Sequence, residues 1–152
     1  MIVFTPFYED CPSFRNFPGY GKEVWYGEGI YVGYRYYDVK KIEPLYPFGF
    51  GLSYSSFVLS GMEMPNVWRM EEPFEVSVTV KNTGPMDGKE VVQLYLHHEN
   101  PTLDKPEKEL KAFQKIFLKA GEEKKLTFRL EQKALECWDS KLGGWAAEPT
   151  RR

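Results

Sequence analysis

The sequence is poor in the residues that carry redox, metal and membrane chemistry. Its 152 residues include two cysteines, Cys11 and Cys137, and two histidines, the adjacent pair His97 and His98. No Cys-x-x-Cys spacing occurs, and neighbours on a strand point to opposite faces, so the histidines cannot easily grip one metal together. A metal site is not expected. Cys11 and Cys137 read as free thiols, one in a loop and one half-buried, with pairing across the chain as the alternative. Charge of one sign is also lacking: 20 Lys and Arg against 22 Asp and Glu leave a net charge of −2. That balance gives no electrostatic ground for a nucleic-acid partner or an anionic membrane. No apolar run approaches the roughly 18 residues of a spanning helix. The start, Met1-Ile-Val-Phe-Thr-Pro-Phe7, has no basic stretch and is broken by Pro6, which makes a poor signal peptide. Asn100-Pro101-Thr102 fails as a glycosylation acceptor because its middle residue is proline. The residues themselves leave the compartment open.

Aromatic side chains are abundant, with 11 Phe, 10 Tyr and 4 Trp, and they bring the apolar area a packed core needs. Thirteen Gly and 11 Pro interrupt any helical reading. The pattern changes near residue 55. From Cys11 to Tyr54 the chain is rich in aromatics and glycine and has no sustained amphipathic period, so a mostly irregular segment is expected, its core completed by something else. From Ser55 onward, short alternating runs are separated by turn signals. Phe74, Val76, Val78 and Val80 alternate with Glu75, Ser77 and Thr79, a half-buried strand that ends in Asn82-Thr-Gly-Pro85. Gly88 opens a second run, in which Val92, Leu94 and Leu96 share one face and Val91, Gln93 and Tyr95 the other. Further strands are expected at about Phe57 to Leu59, Leu110 to Leu118 and Leu126 to Leu130. Glu131 to Trp138 reads either as a short helix or as a turn into a strand at Leu135 to Trp138. This gives about six strands where an immunoglobulin-like antiparallel β-sandwich has about seven. Trp145 reads as the start of a last strand that is missing.

Six strings carry a family resemblance. Tyr26-Gly-Glu-Gly-Ile-Tyr-Val-Gly-Tyr-Arg-Tyr-Tyr-Asp38 and Pro44-Leu-Tyr-Pro-Phe-Gly-Phe-Gly-Leu-Ser-Tyr54 strongly resemble the C-terminal part of glycoside hydrolase family 3 β-glucosidases. Val80-Lys-Asn-Thr-Gly84, Gly88-Lys-Glu-Val-Val-Gln-Leu-Tyr95, Lys108-Glu-Leu-Lys-Ala-Phe113 and Leu118-Lys-Ala-Gly-Glu122 are similar to that family's fibronectin type III-like module. The resemblance runs from about Glu9 to Trp145. It implies a parent with an N-terminal barrel bearing a nucleophilic Asp, an α/β domain bearing an acid/base Glu, and a β-sandwich behind them. Residues 1–54 are then the end of the α/β domain with its linker, and residues 55–152 a sandwich truncated at its C-terminus. The parent would hydrolyse terminal non-reducing β-D-glucosyl residues without a cofactor. The partners implied are that β-glucoside and the remainder of the parent enzyme.

Retaining hydrolysis needs two carboxyl groups about 5 Å apart. The aromatic-flanked candidates here are Glu28, between two glycines, and Asp38, after Tyr36 and Tyr37. Neither matches a position at which the family carries its catalytic groups, so no catalytic residue is assigned. A structural role is expected for both, such as a hydrogen-bonded pair with Arg35. Trp25, Tyr26, Tyr31, Tyr34, Tyr36 and Tyr37 invite a sugar-stacking reading, with Trp25, Tyr26 and Tyr34 as the platform of a stand-alone carbohydrate-binding module. Packing at a domain interface is the simpler expectation for them, and also for Phe48 and Phe50. A partner-binding sandwich that uses an open strand edge is the remaining alternative. Lys105, Lys108, Lys111 and Lys115, interrupted by Glu107 and Glu109, read as a solvated face.

Overall fold

Strand alternation sets the architecture. The computed structural model describes residues 5, 7–69 and 72–148. The chain divides into two compact units, Met1–Gly51 with Asp104–Glu109, and Leu52–Leu103 with Leu110–Arg152.

The second unit is mainly β. Its strands are β1 (Phe57–Glu63), β2 (Phe74–Asn82), β3 (Gly88–Leu96), β4 (Glu109–Leu118, whose first residue belongs to the first unit), β5 (Glu123–Leu130), β6 (Glu136–Asp139) and β7 (Gly144–Ala147). They form a three-stranded sheet in the order β1-β2-β5, a two-stranded sheet of β3 and β4, and the β6–β7 hairpin. Strands β1, β2 and β5 pair antiparallel, with Val76 opposite Phe128 and Val78 opposite Leu126. Period-two alternation aims these residues at one face, where Val80, Leu126 and Phe128 meet Val92, Ile116 and Leu118 of the other sheet. Val80 and Leu118 have no exposed surface. The result is a sandwich interior of aliphatic and aromatic groups, with Phe57, Val78, Leu94 and Ala112 packed around it.

One polar side chain is sealed in with this core. Asn82 is fully buried at the end of β2. Its Nδ2 donates to the carbonyls of Met86 (2.8 Å) and Leu118 (3.2 Å), and its Oδ1 accepts from Ser55 Oγ (2.6 Å) and the Gly84 amide (3.0 Å). The amide thus ties three chain segments while leaving none of its own groups unbonded, the condition under which a buried polar group is tolerated. Gly84 is required beside it: a Cβ there would stand 2.2 Å from Ser55 Oγ and 2.6 Å from the Ser56 amide nitrogen.

Two expectations are modified here. Trp145 does not open an absent strand; it lies in β7, directly opposite Trp138 of β6, with ring centroids 5.9 Å apart in an edge-to-face arrangement. The described residues therefore contain seven strands rather than about six. Four-residue strands carry too short an alternation to be separated from a turn by pattern. The ambiguous stretch before them is both things in succession, a 3-10 turn at Gln132–Leu135 running into β6.

The first unit is mostly irregular among its described residues, which include one short α-helix, α1 (Tyr34–Lys40), that the residue pattern did not disclose. Two turns are too few to show a period. The helix starts after Gly33 and stops at Lys41, whose backbone is left-handed (φ 54°) and whose amide closes back on Asp38 and Tyr37. Tyr34 and Tyr37, one turn apart, supply its buried side. Cys11 and Cys137 are half-buried free thiols. No helix among the described residues is long and apolar enough to cross a membrane.

Candidate functional site

The first unit contains a cavity of about 570 Å3, lined by Glu9, Cys11, Arg15, Glu28, Tyr31 and Tyr36 among others. The turn at Tyr8–Asp10 supplies Glu9, and the residues leading into α1 and on its first turn supply Tyr31 and Tyr36. Glu28 is half-buried and Glu9 is exposed. The hollow brings the carboxyl groups of Glu9 and Glu28 and the guanidinium of Arg15 to one lining.

The other candidate carboxylate, Asp38, sits outside that hollow's lining. Its Oδ1 accepts a hydrogen bond from Lys108 Nζ at 3.2 Å. Arg35, expected to hold Asp38 or Glu28, instead donates Nη2 to Glu109 Oε1 at 3.1 Å. The expected pair of Arg35 with Asp38 or Glu28 is thus replaced by Arg35 with Glu109 and Lys108 with Asp38. Lys108 makes this contact with its side chain still 45% exposed. The partner segment was missed because Lys108 and Glu109 are some seventy residues away and alternate in charge, a pattern shared with any exposed strand.

The aromatic residues separate into three groups. Tyr34 and Tyr37 are buried, 7% and 4% exposed, and Tyr34 lies against Phe48 with ring centroids 6.2 Å apart. Tyr31 and Tyr36 are half-buried, and Trp25 and Tyr26 are 66% and 90% exposed. A sugar platform of Trp25, Tyr26 and Tyr34 is thereby overturned at Tyr34, whose ring face is occupied by protein. Phe50 packs on Tyr46 at 4.9 Å and remains more than half exposed. The Tyr31 hydroxyl donates to the Asp104 carboxylate, and this hydrogen bond, aided by burial and by the negative charge, raises the phenol above its ordinary pKa.

The second unit has an apolar hollow of about 340 Å3, lined by Leu59, Met62, Val76, Val78, Leu94 and Phe128 among others, of which Leu59 and Met62 are more than half exposed. It contains no titratable side chain and can do no acid-base chemistry. No group of three or more His, Cys, Asp or Glu among the described residues is arranged to hold a metal ion.

Comparison with known proteins accounts for this arrangement. Residues 90–151 match the family model for the fibronectin type III-like domain. The chain is 48% identical over 138 residues to thermostable β-glucosidase B of Acetivibrio thermocellus, an alignment covering 90% of this chain and 18% of that protein. It is 43% identical over 150 residues to β-glucosidase BoGH3A of Bacteroides ovatus, covering 93% and 20%. Among solved structures, the GH3 β-glucosidase of Bifidobacterium adolescentis superposes with a TM-score of 0.86 at 40% identity, over 94% of this chain and 21% of that one. β-Glucosidase 3B of Thermotoga neapolitana, solved with glucose, gives 0.82 at 39% identity, over 90% and 19%. The chain thus spans about a fifth of the length of the relatives it matches. It is homologous to the C-terminal, fibronectin type III-like region of the family 3 glycoside hydrolase β-glucosidases.

Proposed function

We propose that this chain is the C-terminal portion of a β-glucosidase that hydrolyses terminal non-reducing β-D-glucosyl residues, and that its own part in the reaction is structural. The observation that carries this reading is the asymmetry of coverage: nine-tenths of the chain aligns with about one-fifth of a β-glucosidase. The catalytic Asp and Glu of the parent then belong to the barrel and the α/β domain outside these residues. Residues 1–54 act as the end of that α/β domain with its linker, and residues 55–152 as a sandwich that buttresses it. The exposed aromatics of the first unit, with Phe17 and Trp25 each at 66% and Tyr26 at 90%, support a face that packs against the remainder of the parent. Isolated soluble domains rarely leave so many large apolar side chains in water without a partner.

The test is an aryl β-glucoside assay on the purified chain. Release of aglycone at the rate of a protein-free control is the expected result. Turnover above that control, abolished by Glu28→Gln, would overturn the claim that the chain lacks its catalytic carboxylates. Tryptophan fluorescence during a cellobiose titration tests the carbohydrate-binding alternative on the same sample. A flat response is expected.

A further inference from the structure

Between β3 and β4 the chain leaves the sandwich, and residues 104–109, Asp-Lys-Pro-Glu-Lys-Glu, belong to the first unit. Four of their side chains meet a single stripe there. Glu109 takes Arg35 (3.1 Å), Lys108 takes Asp38 (3.2 Å), and Glu107 takes Lys41. Asp104 accepts from Tyr31, whose hydroxyl also lies 3.5 Å from the Lys105 carbonyl. Arg35, Asp38 and Lys41 are spaced by three, so they share one face of α1 and its C-terminal cap, with Tyr31 just before. The charges alternate plus, minus, plus on that face and minus, plus, minus on the segment. Pro106 is buried in the middle.

Two details make this more than scattered surface pairing. The Arg35–Glu109 pair is half out of water, with side-chain exposures of 31% and 24%, and Asp38 is 22% exposed. Asp38 Oδ2 is buried and accepts no hydrogen bond among the described residues, so Lys108 is the hydrogen-bonding cation this carboxylate has. The second detail is a separate anchor immediately upstream. The amides of Thr102 and Leu103 donate to Glu148 Oε1 at 3.0 and 3.1 Å, inside the second unit. Chain attachment therefore changes hands between Leu103 and Asp104.

We infer that residues 104–109 form an ionic strap, held on the α1 stripe by alternating charges, that opens and closes as one element while the Glu148 anchor and the sandwich stay in place. The inference concerns this chain's own conformational equilibrium and stands whether or not the parent activity proposed above is correct. Opening would release the segment at Asp104 without unpairing β2 from β5, because no residue of the sandwich's core cluster is carried on it.

Amide hydrogen exchange on the whole chain, resolved by mass spectrometry, tests it. In Lys108→Glu, exchange at residues 104, 105, 107 and 108 is expected to accelerate about tenfold, the size of losing one charge-assisted pair partly out of water. Amides 102 and 103 and those of β2 and β5 should keep their protection. The swapped pair Asp38→Lys with Lys108→Glu should restore slow exchange, which a role of Lys108 in packing alone would not. Unchanged exchange at 104–108 in the single variant, failure of the swap, or equal loosening of 102–103 would each overturn the strap. Should the single variant lose protection throughout β2 and β5, the unmodified chain decides. Raising salt from about 0.1 M to about 1 M, which shortens the screening length from about 10 Å to about 3 Å, is expected to accelerate exchange at 104–108 selectively. No acceleration there overturns the inference.

Discussion

The sandwich hides Val80, Leu118 and Leu130 at 3% exposure or less, whereas the first unit, among its described residues, buries Tyr34 and Tyr37 and leaves Trp25, Tyr26 and Phe17 largely in water. The two regions are assembled by different physics. In the sandwich, apolar area is removed from water between facing sheets, a non-directional gain of about 25 cal/mol per Å2 that many residues share. In the first unit, position is fixed by directional contacts: Arg35 to Glu109, Lys108 to Asp38, Tyr31 to Asp104. Each such contact is worth little alone at a surface, and its loss is felt locally. A region built in the first way resists mutation by consensus of its neighbours, and one built in the second depends on particular atoms. The same contrast explains why the first unit can present a cavity and exposed rings while keeping α1 in place.

The largest effect that this comparison predicts is at the sandwich centre. Leu118→Ala removes a side chain with no exposed surface, and the cavity left behind should lower unfolding stability by about 3–4 kcal/mol. Denaturant unfolding followed by far-ultraviolet circular dichroism measures it. A loss under about 1 kcal/mol would mean that the apolar interior does not dominate this unit. Asn82→Ala should follow at about 2–3 kcal/mol, because it strands the Met86 and Leu118 carbonyls and the Gly84 amide at once. Serine at the same position should recover little, having one short arm where four partners must be met.

These two residues also mark how far the fold was legible. Leu118 closes a strand expected at Leu110 to Leu118, and alternation located β2, β3 and β5 to within a few residues. Asn82 read as part of a turn signal, which it is. Its second role as a buried hub depends on Leu118 and Ser55, residues that only the folded chain brings near. The first unit was legible as a family string and hardly at all as a pattern. Its helix is two turns long, and its charged partners lie about seventy residues apart. Local periodicity cannot report a contact of that range, and single charges on a strand look alike whether they face water or a distant carboxylate. The candidate site fared similarly: Glu28 was singled out for its glycines and does line a hollow, whereas Tyr34 was offered as a sugar platform and proved to be buried against Phe48.

A substitution within the first unit sharpens the comparison from the other side. Tyr34→Ala removes one of its two buried rings and the contact with Phe48, at a local cost of about 2 kcal/mol. Amide exchange should rise across residues 34–40 while β2 and β5 keep their protection. Equal loss of protection in both places would show that the two units unfold as one, and the contrast drawn above would collapse.

The smallest effect concerns charge on the sandwich itself. Glu122, in the turn between β4 and β5, accepts the Lys119 amide at 2.7 Å and pairs with Lys124 Nζ at 2.9 Å. The backbone hydrogen bond first, and the Lys124 contact after it, hold this carboxyl below its ordinary value of 4.5. A carboxyl whose pKa is depressed by folding stabilises the folded state above its unfolded pKa, and the contribution fades as pH falls through the folded value. Glu122→Gln should therefore be less stable than the unmodified chain at about pH 7, with the gap closing towards about pH 3 as the native carboxylate takes up its proton. Because the pair faces solvent, about 1 M salt should narrow the gap at neutral pH too. Thermal unfolding of the two proteins across that pH range measures it. A gap that persists unchanged in acid would show that Glu122 acts through its shape in the turn, and that even the polar contacts of the sandwich owe more to geometry than to charge.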